Sequence, residues 1–121
     1  ILPAITVGLL STAVLNLNNM RDVESDKKSN KMTMAIKLGE KNMKLYHYTL
    51  IVLAIITSLL FGLFYYTSVY NLIYMIMYVP FIVHLIKVKR NKDLKLLDPE
   101  LKKVALSTFF MAILMGVGHL L

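Results

Sequence analysis

Between Leu45 and Ile86 the chain runs for 42 residues without a lysine, arginine, aspartate or glutamate. A soluble domain has no use for such a stretch, whereas a lipid bilayer requires it. A helix needs roughly 20 apolar residues to cross the hydrocarbon core, so this run predicts two spans and a tight turn. The spans fall at residues 45–66 and 70–86, with Thr67, Ser68 and Asn71 supplying turn chemistry between them. Tyr46 and Tyr48 mark one end of this hairpin, and Tyr65, Tyr66 and Tyr70 its tip, where phenolic rings favour the lipid–water boundary. Tyr74 and Tyr78 lie deeper and are expected to face protein. Pro80 is expected to kink the second span, a bend tolerated where neighbouring groups satisfy the freed carbonyl.

Residues 1–17 and 104–121 form two further apolar runs. The expected architecture is therefore an all-α transmembrane helical bundle of four spans. The chain starts at Ile1, already inside an apolar run, which predicts the later part of a longer protein. A signal peptide does not fit, because no basic flank precedes this run and no small-residue cleavage site follows it. There is no cysteine, so disulfides and thiolate metal sites are excluded and the redox compartment stays open.

The net charge of +7 raises nucleic acid as a partner, but the placement of the charges argues against it. Of the 14 lysines and arginines, seven lie in residues 18–44 and seven in residues 87–103; the hairpin tip carries none. Two crossings separate these loops, so they share a side. The positive-inside rule makes that side cytoplasmic, in a multi-pass protein of the cell membrane.

The first loop carries the chemistry. In Asn18-Asn19-Met20-Arg21-Asp22-Val23-Glu24-Ser25-Asp26, a continued helix would set Asn18, Asp22 and Asp26 at i, i+4 and i+8, one oxygen-bearing stripe. Like charges at i, i+4 repel unless a cation sits between them. Magnesium suits such a place, since it takes one or two carboxylates, keeps several waters and fills its remaining positions with phosphate oxygens. Arg21 and Lys31 are the adjacent cations that could hold non-bridging phosphate oxygens.

These residues resemble a known family. Asn18-Asn19-x-Arg21-Asp22-x3-Asp26, then Lys31-x-Thr33-x-Ala35 and Leu38-Gly39, is similar to the second aspartate-rich motif of the UbiA superfamily of intramembrane prenyltransferases. The paired Asn before Arg-Asp, and the later Leu97-Asp98-Pro99-Glu100-Leu101-Lys102 with Ala105-Leu106-Ser107-Thr108, most resemble the branch that prenylates 1,4-dihydroxy-2-naphthoate in menaquinone synthesis. The resemblance implies the last four of nine transmembrane helices. It also implies that Asp22 and Asp26, with Asn18 or Asn19, hold Mg2+ against a polyprenyl diphosphate, while Arg21 and Lys31 offset charge on the leaving pyrophosphate. An aromatic acceptor then attacks the allylic cation, and in the naphthoate branch its carboxylate is lost. The family's other aspartate motif lies between earlier helices, so this stretch alone is expected to be inactive.

One departure stands out. Where the family often reads Gly-Lys-Arg-Thr, this chain has Asn30-Lys31-Met32-Thr33. Asn tolerates a left-handed backbone, but Met32 removes a cation. Two rival readings differ in what the loop does: another aromatic acceptor such as 4-hydroxybenzoate, or a non-enzymatic multispan protein whose loop charges only set topology.

Other residues read as structural. His47 is expected to hydrogen-bond at the interface, His84 to reach towards headgroups or a loop, and His119 to sit near the opposite face, too scattered for a metal site. The eight methionines fit gap-filling between helices or the lining of a tunnel for the isoprenyl chain. Gly8, Gly62, Gly116 and Gly118 are expected to permit close helix approach. The basic run Lys87-Val88-Lys89-Arg90-Asn91-Lys92 reads as anchoring to anionic headgroups. Asp98 is expected to cap a helix with Pro99 at its first position and Glu100 in its first turn; Gly39 is expected to stop one.

Overall fold

The computed structural model describes residues 1–120, and Leu121, the last residue of the fourth expected span, lies outside them. The described residues form helices α1 (Leu2–Arg21), α2 (Val23–Lys28), α3 (Met34–Phe64), α4 (Tyr78–Arg90) and α5 (Asp98–Leu120). Two 3₁₀ segments, Val69–Met77 and Leu94–Leu97, lead into α4 and α5. The all-α bundle is as expected.

The number of spans is not. Among the described residues, three helical stretches are long and apolar enough to cross a membrane: Met34–Phe64, Val69–Arg90 and Leu94–Leu120. Helix α1 has the length, at 20 residues, but Asn16, Asn18 and Asn19 crowd its last turns and dilute its apolar character. The basic loops are also far more helical than expected, because α1, α3 and α4 continue past their apolar stretches.

Local chemistry explains the boundaries. Thr33 caps α3, its Oγ1 accepting from the Ile36 amide at 3.3 Å. Gly39 breaks the helix with φ +81°, as expected of a stop, and Asn30 takes φ +57°. At the hairpin tip the Asn71 amide oxygen accepts from the Thr67 and Ser68 amides at 2.7 and 2.9 Å. Pro80 falls in the first turn of α4, where its missing N–H costs nothing, and the kink it was expected to cause is taken up by the nine-residue 3₁₀ segment before it.

Buried residues recur at helical spacing on one face of each element: Leu10, Ala13, Leu17 and Met20 on α1; Met43, His47, Leu50 and Ala54 on α3; Phe81, His84 and Val88 on α4; Val104, Thr108, Met111 and Met115 on α5. In lipid, apolar contact between helices gains little over contact with acyl chains, so close packing and interhelical hydrogen bonds decide the arrangement, at about 0.6–2 kcal/mol per bond. Thr6 meets Thr57 at 2.7 Å, Ser58 meets Tyr78, and Tyr74 donates to the Ser58 carbonyl. Tyr74 is fully buried and Tyr78 half-buried, whereas Tyr65, Tyr66 and Tyr70 are exposed at the tip.

Candidate functional site

The aspartate motif straddles a bend rather than one continuous helix. Helix α1 ends at Arg21, Asp22 takes φ −97° and ψ 13°, and α2 begins at Val23. The ladder survives the bend, since the Asp22 amide donates to the Asn18 carbonyl at 3.1 Å and the Asp26 amide to the Asp22 carbonyl at 2.8 Å. Asn18, Asp22 and Asp26 thus keep their one-turn spacing. Lys31 closes the segment, its amide donating to the Asp26 carbonyl at 2.9 Å.

Arg21 is the hub. Its Nε donates to Asp22 Oδ1 at 2.9 Å and its Nη2 to Asp22 Oδ2 at 3.2 Å, a two-pronged grip. Nη2 also reaches Asn18 Oδ1 at 2.7 Å, and Nη1 reaches Asp98 Oδ1 at 2.6 Å. These hydrogen bonds hold the Asp22 carboxyl below the usual carboxylate range, with the charges of Arg21 and Lys31 adding to the effect. The same bonds to Asp22 and Asp98 raise the pKa of Arg21, keeping it cationic.

Asp98 is the partner that sequence alone hides. It lies 77 positions from Arg21, and its local context fits a helix start, so no spacing rule connects the two. Helix α5 does start there, with Pro99 second, while the preceding 3₁₀ turn is capped by Asp93, which accepts from the Lys95 amide at 3.1 Å. Lys44 donates to the Asn91 carbonyl at 2.6 Å, and Glu24 pairs with Lys95 at 2.7 Å, so both basic segments meet at one end of the bundle.

Asn19 departs from the cluster. Consecutive helical residues point about 100° apart, so it lines a separate groove of about 160 Å³ with Thr12, Asn16 and Tyr46. Beside the motif, Arg21, Glu24, Lys27, Glu40, Lys92 and Lys95 surround a cavity of about 300 Å³ floored by Met20, Ala35 and Met43. The structure therefore joins Asn18, Arg21 and Asp22 directly and sets Asn19 apart.

The donor set suits a hard cation. Among the described residues no three His, Cys, Asp or Glu side chains are arranged as a complete metal cage. The Asp22 and Asp26 carboxylates and the Asn18 amide oxygen are the donor types taken by an ion that fills its other positions with water and phosphate. Of the three, Asp22 and Asn18 are joined, both through Arg21.

The histidines correct the sequence reading. His47 and His84 were expected apart at the membrane surface; both are buried, and their Nε2 atoms lie 2.7 Å apart. His84 Nδ1 lies 3.0 Å from Glu100 Oε1, so Glu100 does more than complement a helix dipole. The antiparallel α3–α4 hairpin brings together positions that are distant in sequence. Gly62 and Gly118 do sit at close approaches, where an added Cβ would lie 2.5 Å from the Tyr74 hydroxyl and 2.6 Å from the Tyr70 carbonyl. Gly8 and Gly116 have open space and do not.

Comparison with known proteins leads to the same family. The UbiA prenyltransferase family matches residues 1–117. A protein of Haemophilus influenzae named 1,4-dihydroxy-2-naphthoate octaprenyltransferase is 35% identical over all of this chain and 39% of its own length. Proteins of the same name are 48% identical over 53% of this chain in Escherichia coli K12 and 38% identical over 47% in Mycobacterium leprae, covering 21% and 20% of those proteins. The chain thus spans about two fifths or less of the relatives it matches. No solved structure matches it. With three membrane-length helices and a family match from Ile1 to Val117, this chain is part of an integral membrane protein and belongs to the UbiA prenyltransferase family.

Proposed function

We propose that the protein containing this chain transfers a polyprenyl group from its diphosphate to 1,4-dihydroxy-2-naphthoate at the cytoplasmic face of the cell membrane. The observation that carries this reading is the similarity along all 121 residues to a relative named for that acceptor. The Asn18–Arg21–Asp22 cluster supports it, with Asp26 one helical turn further on, because these residues supply donors of the chemistry a diphosphate site needs.

Asp22 and Asp26, with Asn18, would hold Mg2+, and Lys31 stands close enough for its charge to act on Asp22. When bound, the ion supplies positive charge that offsets the developing pyrophosphate. Arg21 bonds two carboxylates, so this trio carries a net charge of −1, with Lys31 the neighbouring cation that offsets it. Arg21 then orients Asp22 through two bonds and keeps a fixed positive charge beside the leaving group. Ionisation of the allylic C–O bond releases pyrophosphate and leaves a cation that an electron-rich carbon of the naphthoate attacks, and loss of the acceptor's carboxylate as CO2 restores the aromatic ring. The seven basic residues in each of the two loops argue for the cytoplasmic side.

The test is an assay of the full-length protein with polyprenyl diphosphate, with and without Mg2+, against 1,4-dihydroxy-2-naphthoate and 4-hydroxybenzoate. Preference for the naphthoate supports the proposal. Preference for hydroxybenzoate overturns the acceptor assignment, and no transfer to either overturns the enzymatic one.

A further inference from the structure

Helices α4 and α5 enclose a groove of about 330 Å³ that the prenyl-transfer reading leaves unused. Its loop end is cationic. Lys87 Nζ and Lys103 Nζ converge on one oxygen of Glu100, at 3.7 and 3.3 Å, while the other oxygen serves His84. The carboxylate is buried, whereas the lysine side chains are 47% and 57% exposed. Each ammonium has three N–H donors, so each keeps some for another acceptor. Two lysines against one carboxylate leave an excess of one positive charge.

Away from the lysines the groove turns apolar. Along α4 the wall runs Lys87, Val83, Pro80, and along the antiparallel α5 it runs Lys103, Leu106, Phe110. These spacings of three and four residues keep each series on one helix face. Val83, Leu106 and Phe110 are about half exposed. The groove therefore passes from charge at the edge of the basic loop to hydrocarbon towards the middle of the spans, the polarity profile of a lipid in one leaflet.

The geometry points to a binding site for an anionic glycerophospholipid, its phosphodiester between Lys87 and Lys103 and an acyl chain against Val83, Leu106 and Phe110. A phosphodiester carries one negative charge, matching the excess. The prenyl diphosphate carries more charge and would face Glu100 without the paired aspartates that bring a metal, so the phospholipid is the better fit. The site does not depend on the proposed reaction.

The experiment uses the full-length protein, exchanged into a neutral detergent and supplied with phosphatidylglycerol, phosphatidylcholine and diacylglycerol. Retained lipid is counted by native mass spectrometry, and a benzophenone side chain at position 110 captures the occupant. Phosphatidylglycerol is expected to be retained in preference to diacylglycerol and cross-linked at position 110. The double substitution Lys87→Gln/Lys103→Gln lowers its occupancy by roughly thirtyfold, a factor of about five per lysine. Lys89→Gln/Lys92→Gln, which removes equal charge from the same loop, leaves occupancy near wild type. Equal loss in both variants, or equal retention of diacylglycerol, reduces the effect to general surface charge and overturns the site. A cross-link to another part of the protein overturns it by making the groove a helix interface. Displacement of phosphatidylglycerol by equimolar polyprenyl diphosphate assigns the groove to that lipid instead and also overturns it.

Discussion

His47 and His84 face each other through their Nε2 atoms at 2.7 Å, and Glu100 lies 3.0 Å behind on His84 Nδ1, so one chain of bonds links α3, α4 and α5. His84 serves two partners, whereas His47 Nδ1 is buried without one. His84→Leu strands both neighbours and is expected to cost about 1–3 kcal/mol, more than His47→Leu, which also removes an orphan. Thermal unfolding of the full-length protein in detergent checks this; an equal or reversed order refutes the bond chain.

Asp22→Asn and Asp26→Asn are each expected to lower prenyl transfer roughly a hundredfold or more, because several kcal/mol of charge stabilisation depend on the ion they would hold. Thermal stability should change little for Asp26→Asn. Full activity in either variant would place the chemistry elsewhere.

Asp98→Asn tests the bond across the bundle. The pair is partly exposed, with Asp98 68% accessible, so its loss is worth about 1 kcal/mol or less. Activity should fall by a few-fold through a weaker response to Mg2+ and diphosphate, visible as a rise in KM, with Asp98→Glu restoring part of it. A fall in kcat alone would show that Arg21 does not need this anchor to bind substrate.

Close helix approach separates three glycine substitutions. In Gly118→Ala the new Cβ meets a backbone oxygen at 2.6 Å, which moves only with the helix, so about 1–3 kcal/mol is expected. Gly62→Ala meets the Tyr74 hydroxyl and costs less if the ring shifts. Gly116→Ala meets open space and should be neutral. Melting temperatures in that order are the check.

The Arg21–Asp22 pair makes stability depend on acid. Asp22 has a folded pKa below its unfolded value of about 3.9. Its contribution is therefore complete above the unfolded value and lost as pH falls through the folded one. The difference in melting temperature between wild type and Asp22→Asn should be constant above about pH 5 and shrink below pH 4. A difference that grew on acidification would reverse the assigned shift.

What sequence could reveal follows from the range of each force. The charge-free run, the tip residues, the Gly39 break and the left-handed Asn30 are local, governed by composition or backbone sterics, and all are where the residues indicate. The span expected at residues 1–17 fared less well, because Asn16, Asn18 and Asn19 weaken the apolar signal of α1. Contacts such as Arg21–Asp98 and His47–His84 depend on how helices turn against one another, which single-chain periodicity does not encode. The separation of Asn19 from Asn18 was readable in principle from the 100° step between neighbours, but reading them as a pair concealed it.

Helix α5 is fastened at both ends, by Asp98 to Arg21 and by the Gly118 carbonyl accepting from Asn71 at 2.8 Å. A one-turn axial slip would be about 5.4 Å and would tear both fastenings at once. The last helix is thus held in axial register against α1 at one end and the hairpin tip at the other, by two bonds that a slide along its axis would have to break together.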